Sequence, residues 1–176
     1  GTKIYLRQAF ALLIDQLRPR STGCVELKSS NPNDKPLINF NYLKDPKDIK
    51  DLLNGVKKAR ELVAQKSFDP FRGAEIAPGP SVKTDTEIKA WLRETVATDY
   101  HPSCTCSMGH GKQSVVDERF CVHGLKNLRI VDASVMPKII SANLNAPVQM
   151  IAARAADMIS GDNQKKPLKV SFAFES

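Results

Sequence analysis

Residues 127–147 read Asn-Leu-Arg-Ile-Val-Asp-Ala-Ser-Val-Met-Pro (127–137), Lys-Ile-Ile (138–140) and Ser-Ala-Asn-Leu-Asn-Ala-Pro (141–147). The run 127–132 is apolar enough for a short buried strand that ends on Asp132. Residues 146–160, closed by Gly161, carry the pattern of a helix with a glycine stop. A strand followed directly by a helix is the unit of a layered α/β arrangement. Just upstream, Tyr-His-Pro-Ser-Cys-Thr-Cys-Ser-Met-Gly (100–109) pins His101 before a proline. Each of these phrases sets a polar or ionisable group beside residues that stiffen the backbone, which suits one site assembled from several segments.

Upstream of residue 100 the pattern is different. Residues 8–17 are rich in apolar side chains, and Arg18-Pro19-Arg20-Ser21-Thr22-Gly23 turns them into the alternating run 24–28, which predicts a hairpin of a half-buried antiparallel sheet. Residues 31–36 are a loop by composition and 37–40 a short strand. Asp45-Pro46 opens a helix with Ile49, Leu52, Leu53, Val56 and Val63 at helical spacing, running to about residue 65. Prolines and glycines make 70–80 irregular. Thr84-Asp85-Thr86-Glu87 is a capping box for a second helix, with Ile88, Trp91, Leu92 and Thr95 on one side. The fold class is therefore α+β / α/β, with an antiparallel sheet and helices followed by a strand–helix unit. A boundary is expected near residue 100, with a second piece over 101–161 and a polar tail from 162 that turns weakly strand-like at 170–174.

A chain of 176 residues is long enough for one domain with a core, burying roughly 70% of its unfolded surface. No run approaches the ~18 apolar residues of a membrane span, so no transmembrane segment is predicted. Neither a signal core nor a transit segment opens the chain, and Gly1 in place of an initiator methionine reads as a cut. The formal charge is +7, but basic residues alternate with acids, as in Lys57-Lys58-Ala59-Arg60-Glu61, and no aromatics interleave to stack bases. That reads as a solvated surface rather than a nucleic-acid interface. Four cysteines, at 24, 104, 106 and 121, are too sparse for a disulfide scaffold and suit a reducing compartment.

His101, Cys104, Cys106, His110, Cys121 and His123 crowd one window, which raises a metal site. The single residue between Cys104 and Cys106 is shorter than the usual spacing of structural zinc ligands, so no metal is expected. A Cys–His nucleophile pair is disfavoured because such pairs usually join distant segments. His101 alone is open to two readings: a satisfied structural histidine, or a neutral imidazole able to take a proton from an alcohol. Asn143 could hold the same oxygen, or form a helix cap or Asx turn; Asn145 is the better candidate for the cap. A helix start near Ala146 presents free N–H groups and a positive dipole end, favourable to an anion. Asp132 either meets a nucleotide cofactor's polyol or phosphate linkage at a strand end, or makes an Asp turn with Ala133 and Ser134.

In these residues the chain resembles the carboxy-terminal part of the glucose-methanol-choline family of flavin oxidoreductases. The phrases His-Pro-Ser-Cys-Thr-Cys-Ser-Met-Gly (101–109), Val-Val-Asp (115–117), 122–137 and Asn-Leu-Asn-Ala-Pro (143–147) recur in the family's order. So do Arg-Pro-Arg-Ser-Thr-Gly (18–23), Asn-Tyr-Leu (41–43), Arg-Glu-Leu (60–62), Phe-Arg-Gly (71–73) and Pro-Gly (78–79), and the likeness covers about 12–161. The 101–108 and 143–145 phrases look most like the choline-oxidising members.

The resemblance implies FAD as cofactor and a small alcohol, choline or similar, as substrate. The electron acceptor is not legible. His101 corresponds to the active-site base and Asn143 to the second polar position, with hydride passing from the substrate carbon to the flavin. Asp132 and Ala133, with Asn143, Leu144, Asn145 and Ala146, correspond to segments lying against the flavin. Residues 1–100 would be part of a substrate-binding domain and 101–161 the active-site segment plus the last strand–helix unit of a Rossmann-like FAD domain, an incomplete fold. The location implied is mitochondrial and inner-membrane associated for a eukaryotic source, cytoplasmic otherwise. Departures are the shorter loop 109–114, Val148-Gln149 and Ala153-Arg154 in the last helix, and the lack of a Gly-x-Gly-x-x-Gly turn, so this stretch alone is not expected to hold FAD well. The rival reading is a truncated or diverged structural or interaction module without turnover.

Overall fold

The computed structural model describes residues 8–161, and over these residues the protein is α+β: a two-stranded antiparallel sheet and three α-helices, with two 3₁₀ turns. The chain divides after Tyr100 into two compact units.

In the first unit β1 (Cys24–Glu26) pairs with β2 (Leu37–Asn39), Cys24 opposite Asn39 and Glu26 opposite Leu37. The hairpin expected from 8–17 is not there. Residues 8–17 run without regular structure, and β1 takes its partner from the far side of the 27–36 loop. The sheet is not half-buried either: Val25, Leu37 and Ile38 are each at least half exposed, so alternation of residue type here did not translate into one covered face.

Helix α1 (Pro46–Val63) starts as its sequence dictates. Asp45 accepts from the Lys47 N–H at 2.8 Å, and Pro46 occupies the first turn, where a missing N–H costs nothing. Its buried stripe of Ile49, Leu52, Leu53 and Val56 meets Ile88 and Leu92 of α2 (Asp85–Thr95), with Ile14, Leu43, Val82, Trp91 and Val96 packed around them. The α2 capping box is complete: Thr84 Oγ1 accepts from the Glu87 N–H, and the Glu87 carboxylate accepts from the Thr84 N–H at 2.7 Å.

Asp48, on α1, is 1% exposed. Burial on its own acts to raise its pKa. It is outweighed by hydrogen bonds from the Ser21 hydroxyl, the Arg20 and Ser21 N–H groups and the Gln16 amide, which together hold the carboxyl below its ordinary value. One carboxylate thus ties the irregular segment 16–21 to the helix. Arg60 does the same for the 75–82 loop, pairing with Glu75 at 3.1 Å and donating to the Val82 carbonyl at 2.8 Å.

The second unit is built on Val116, Phe120, Val135 and Ala155, with Met108, Ile130, Ile151 and Met158 packed against them. Ile151, Ala155 and Met158 form one stripe of α3 (Asn145–Ser160), which ends at Gly161 in the left-handed region, φ 74°. The expected strand over 127–132 is reduced to one isolated bridge, Cys121 with Arg129, and Asn127 has φ 58°. Ile130 donates to Phe120 at 3.1 Å and Val122 to Leu128 at 3.0 Å, so the segment is extended and paired but not regular. The expected tail from 162 and its strand at 170–174 lie outside the described residues.

Candidate functional site

Tyr100 (φ 61°) and Cys104 (φ 69°) bracket His101 and hold a conformation that side chains with a Cβ adopt at a cost of about 1–3 kcal/mol. Together with Pro102 they leave the backbone around His101 little freedom, and the imidazole is half-buried. Strain of this kind persists only where surrounding contacts impose it, and those contacts are visible. Cys104, Cys106 and Met108 donate their N–H groups to the carbonyls of Ala133, Ser134 and Val135 at 3.2, 2.9 and 2.9 Å. This ladder lays the His101 segment along the Asp132 segment, 31 residues further on.

Asp132 caps the 3₁₀ turn Ala133–Val135. Its Oδ1 accepts from the Ser134 N–H at 2.7 Å and also from the Ser134 hydroxyl, so the Asp turn is realised. The carboxylate is nevertheless exposed, while Val135 and Met136 plunge into the core behind it. The turn fixes where the acid points.

Asn143 is exposed, Leu144 is buried at the start of α3, and Asn145 and Ala146 are exposed in its first turn. The helix begins one residue earlier than expected. Asn145 is therefore the first helical residue and not the cap; Leu144 stands at the cap and has no side chain that can accept a hydrogen bond. Leu144 therefore makes no side-chain cap bond to the first-turn N–H groups. Asn145 Oδ1 instead accepts from Gln149 Nε2 at 3.1 Å. Sequence reasoning did not give Gln149 this part, although an Asn–Gln pair one turn apart is a signal for it.

The loop 109–123 closes beneath this layer. Asp117 accepts from the N–H groups of Cys121 at 2.8 Å and Arg119 at 2.9 Å, and the Cys121 bond foremost lowers its pKa. The imidazole of His123 meets the Gly109 carbonyl at 2.9 Å and His110 pairs with Glu118 at 3.6 Å, so neither joins His101 and the cysteines in a cluster. Among the described residues no three His, Cys, Asp or Glu side chains gather around a point where a metal ion could sit. Nor is any helix there long and apolar enough to cross a membrane.

A mouse (Mus musculus) protein named choline dehydrogenase, mitochondrial, is 45% identical over 163 residues, which is 92% of this chain and 27% of the mouse protein. An oxygen-dependent choline dehydrogenase of Staphylococcus xylosus is 44% identical over 171 residues, 96% of this chain and 30% of its own length. Among solved structures, pyridoxine 4-oxidase from Mesorbium loti superposes with TM-score 0.77 at 27% identity, over 84% of this chain and 29% of that one. An FAD-dependent oxidoreductase from Chaetomium thermophilum gives 0.73 at 32% identity, over 79% and 24%. The chain thus spans less than a third of the length of each of these relatives. The carboxy-terminal family model described as GMC oxidoreductase matches residues 19–152, and with that match the chain belongs to the GMC oxidoreductase family.

Proposed function

We propose that this chain supplies the catalytic carboxy-terminal portion of an FAD-dependent enzyme that oxidises a primary alcohol, with choline oxidised to betaine aldehyde as the leading reaction. In this reading residues 1–100 contribute to the substrate-binding domain. Residues 101–161 bring the active-site segment and the last strand–helix piece of a Rossmann-like FAD domain, in which the extended stretch 127–132 pairs with further strands. The observation that carries the proposal is the backbone ladder from Cys104, Cys106 and Met108 to Ala133, Ser134 and Val135, found in a chain 45% identical to mouse choline dehydrogenase.

The residues present fit a flavin. The uncapped N-terminus of α3 offers N–H donors and the positive end of a helix dipole, worth about 0.3–1 kcal/mol to a nearby negative charge. Asn143 exposes a carboxamide ahead of it, and Asp132 exposes a carboxylate of fixed orientation that suits a hydroxyl-bearing linker. When bound, the flavin supplies a two-electron acceptor for the substrate's hydride. The chain's own part is proton handling and orientation. An imidazole nitrogen of His101 takes the hydroxyl proton, and the Asn143 amide donates to the same oxygen and holds it in place. A mitochondrial, inner-membrane-associated location for a eukaryotic source, or a cytoplasmic one otherwise, belongs to the same proposal.

The test is anaerobic mixing of the FAD-loaded whole enzyme of which this chain is the carboxy-terminal portion with choline and with other primary alcohols. Bleaching of the flavin absorbance by choline at the lowest concentrations supports the proposal. A whole enzyme that binds FAD but is reduced by none of them carries this chain as the non-catalytic module instead.

A further inference from the structure

We infer that Ser134 is a positioning residue for the cofactor: it claims Oδ1 of Asp132 and so turns Oδ2 outward as the acceptor for a hydroxyl of the flavin's linker. This rests on the reading of Asp132 as a flavin-binding carboxylate. Two donors of Ser134, the backbone N–H at 2.7 Å and the side-chain hydroxyl, converge on the same oxygen. Chemistry fixes the sense of both bonds, since an ionised carboxylate has no proton to give and an N–H can only donate. With Oδ1 taken twice, Oδ2 is the oxygen left over, and it has no partner among the described residues.

The ladder is what anchors this arrangement. The Ala133 and Ser134 carbonyls accept from Cys104 and Cys106 at 3.2 and 2.9 Å, and Val135 behind them is buried. Ser134 is therefore held by bonds that do not involve Asp132, whereas the Asp132 side chain is exposed and owes its direction to Ser134. A carboxylate held by the N–H alone can turn about that one bond. The hydroxyl, a second donor on a different atom, stops the turn. One serine thus joins the segment that carries His101 to the acid offered to the cofactor, and it acts through Asp132 without touching the flavin itself.

The experiment is the FAD dissociation constant, followed by flavin fluorescence on the whole enzyme of which this chain is the carboxy-terminal portion, as wild type, Ser134→Ala, Ser134→Thr, Asp132→Ala and the Ser134→Ala, Asp132→Ala double variant. Losing the hydroxyl bond in Ser134→Ala weakens FAD binding about threefold to tenfold. Ser134→Thr, which keeps the hydroxyl, stays near wild type, and in the Asp132→Ala background Ser134→Ala weakens nothing further. FAD analogues deoxygenated at each linker position in turn supply a readout that a merely structural role would not move: the analogue lacking the hydroxyl that Oδ2 accepts is bound equally by wild type and Ser134→Ala. Unchanged binding in Ser134→Ala, or the same loss with and without Asp132 and with every analogue, overturns the inference, while weakened binding in Asp132→Ala keeps the reading of the carboxylate. FAD held by Asp132→Ala as tightly as by wild type brings down that reading and the inference with it, and leaves the alcohol oxidation standing.

Discussion

The backbone N–H of Cys104 donates to the carbonyl of Ala133 at 3.2 Å, with Cys104 itself at φ 69°. That bond starts the ladder by which the His101 segment is placed against the Asp132 segment, and it explains why the strained backbone is tolerated: three ladder bonds and the burial of Val135 and Met136 hold it. The chemistry then rests on side chains that the ladder orients but does not consume.

His101→Ala in FAD-loaded protein is expected to slow alcohol-driven flavin reduction by ~100- to 10,000-fold, the usual contribution of a positioned general base. Flavin content, read from absorbance, stays near wild type because the ladder is made by backbone groups of other residues. Loss of flavin together with rate would assign His101 to structure instead.

Asp48→Asn replaces one acceptor oxygen by a donor among groups that donate to it, from Gln16, Arg20 and Ser21. Leaving such a buried group unsatisfied costs ~1–3 kcal/mol at neutral pH, read by thermal unfolding. The pH dependence has a definite sign. The folded carboxyl titrates below its ordinary value, so its contribution is complete above that value and is lost as pH falls through about 4 toward the depressed one. The gap between wild type and variant should narrow on acidification and not on raising the pH.

Gly55→Ala opposes two effects of known size. Alanine favours a helix over glycine by ~1 kcal/mol, but a Cβ at Gly55 would lie 2.4 Å from Ile14 Cγ2, and overpacking costs ~1–3 kcal/mol. The contact wins because Ile14 is wedged in the α1–α2 core. Net destabilisation is expected, with partial recovery when Ile14→Ala is added, both read from unfolding midpoints.

Thr84→Ala removes the acceptor of the α2 capping box and should destabilise by about 0.5–2 kcal/mol. An unchanged midpoint in thermal or denaturant unfolding would show that packing of Ile88 and Leu92 alone sets the start of that helix.

The helices were legible because their signals are local. Asp45-Pro46, Thr84 with Glu87, and Gly161 each act within one turn, and all three sit where those rules place them. The sheet was not. Strand pairing joins distant segments, and nothing near 8–17 reveals that β1 takes 37–39 as its partner. Residues 127–132 have the composition of a buried strand, yet the described chain pairs them through one isolated bridge only. At the site, the residue types at 101, 132 and 143–146 could be singled out from their phrases. The ladder to Ala133 could not, since it depends on tertiary docking.

The most direct measurement is an experimental structure of the FAD-loaded protein with a substrate analogue bound. The account predicts an imidazole nitrogen of His101 and the amide nitrogen of Asn143 both within hydrogen-bond reach, ~2.6–3.2 Å, of the analogue's oxygen. His101 and Asn143 directed at separate surfaces, with the oxygen held by other groups, would contradict it.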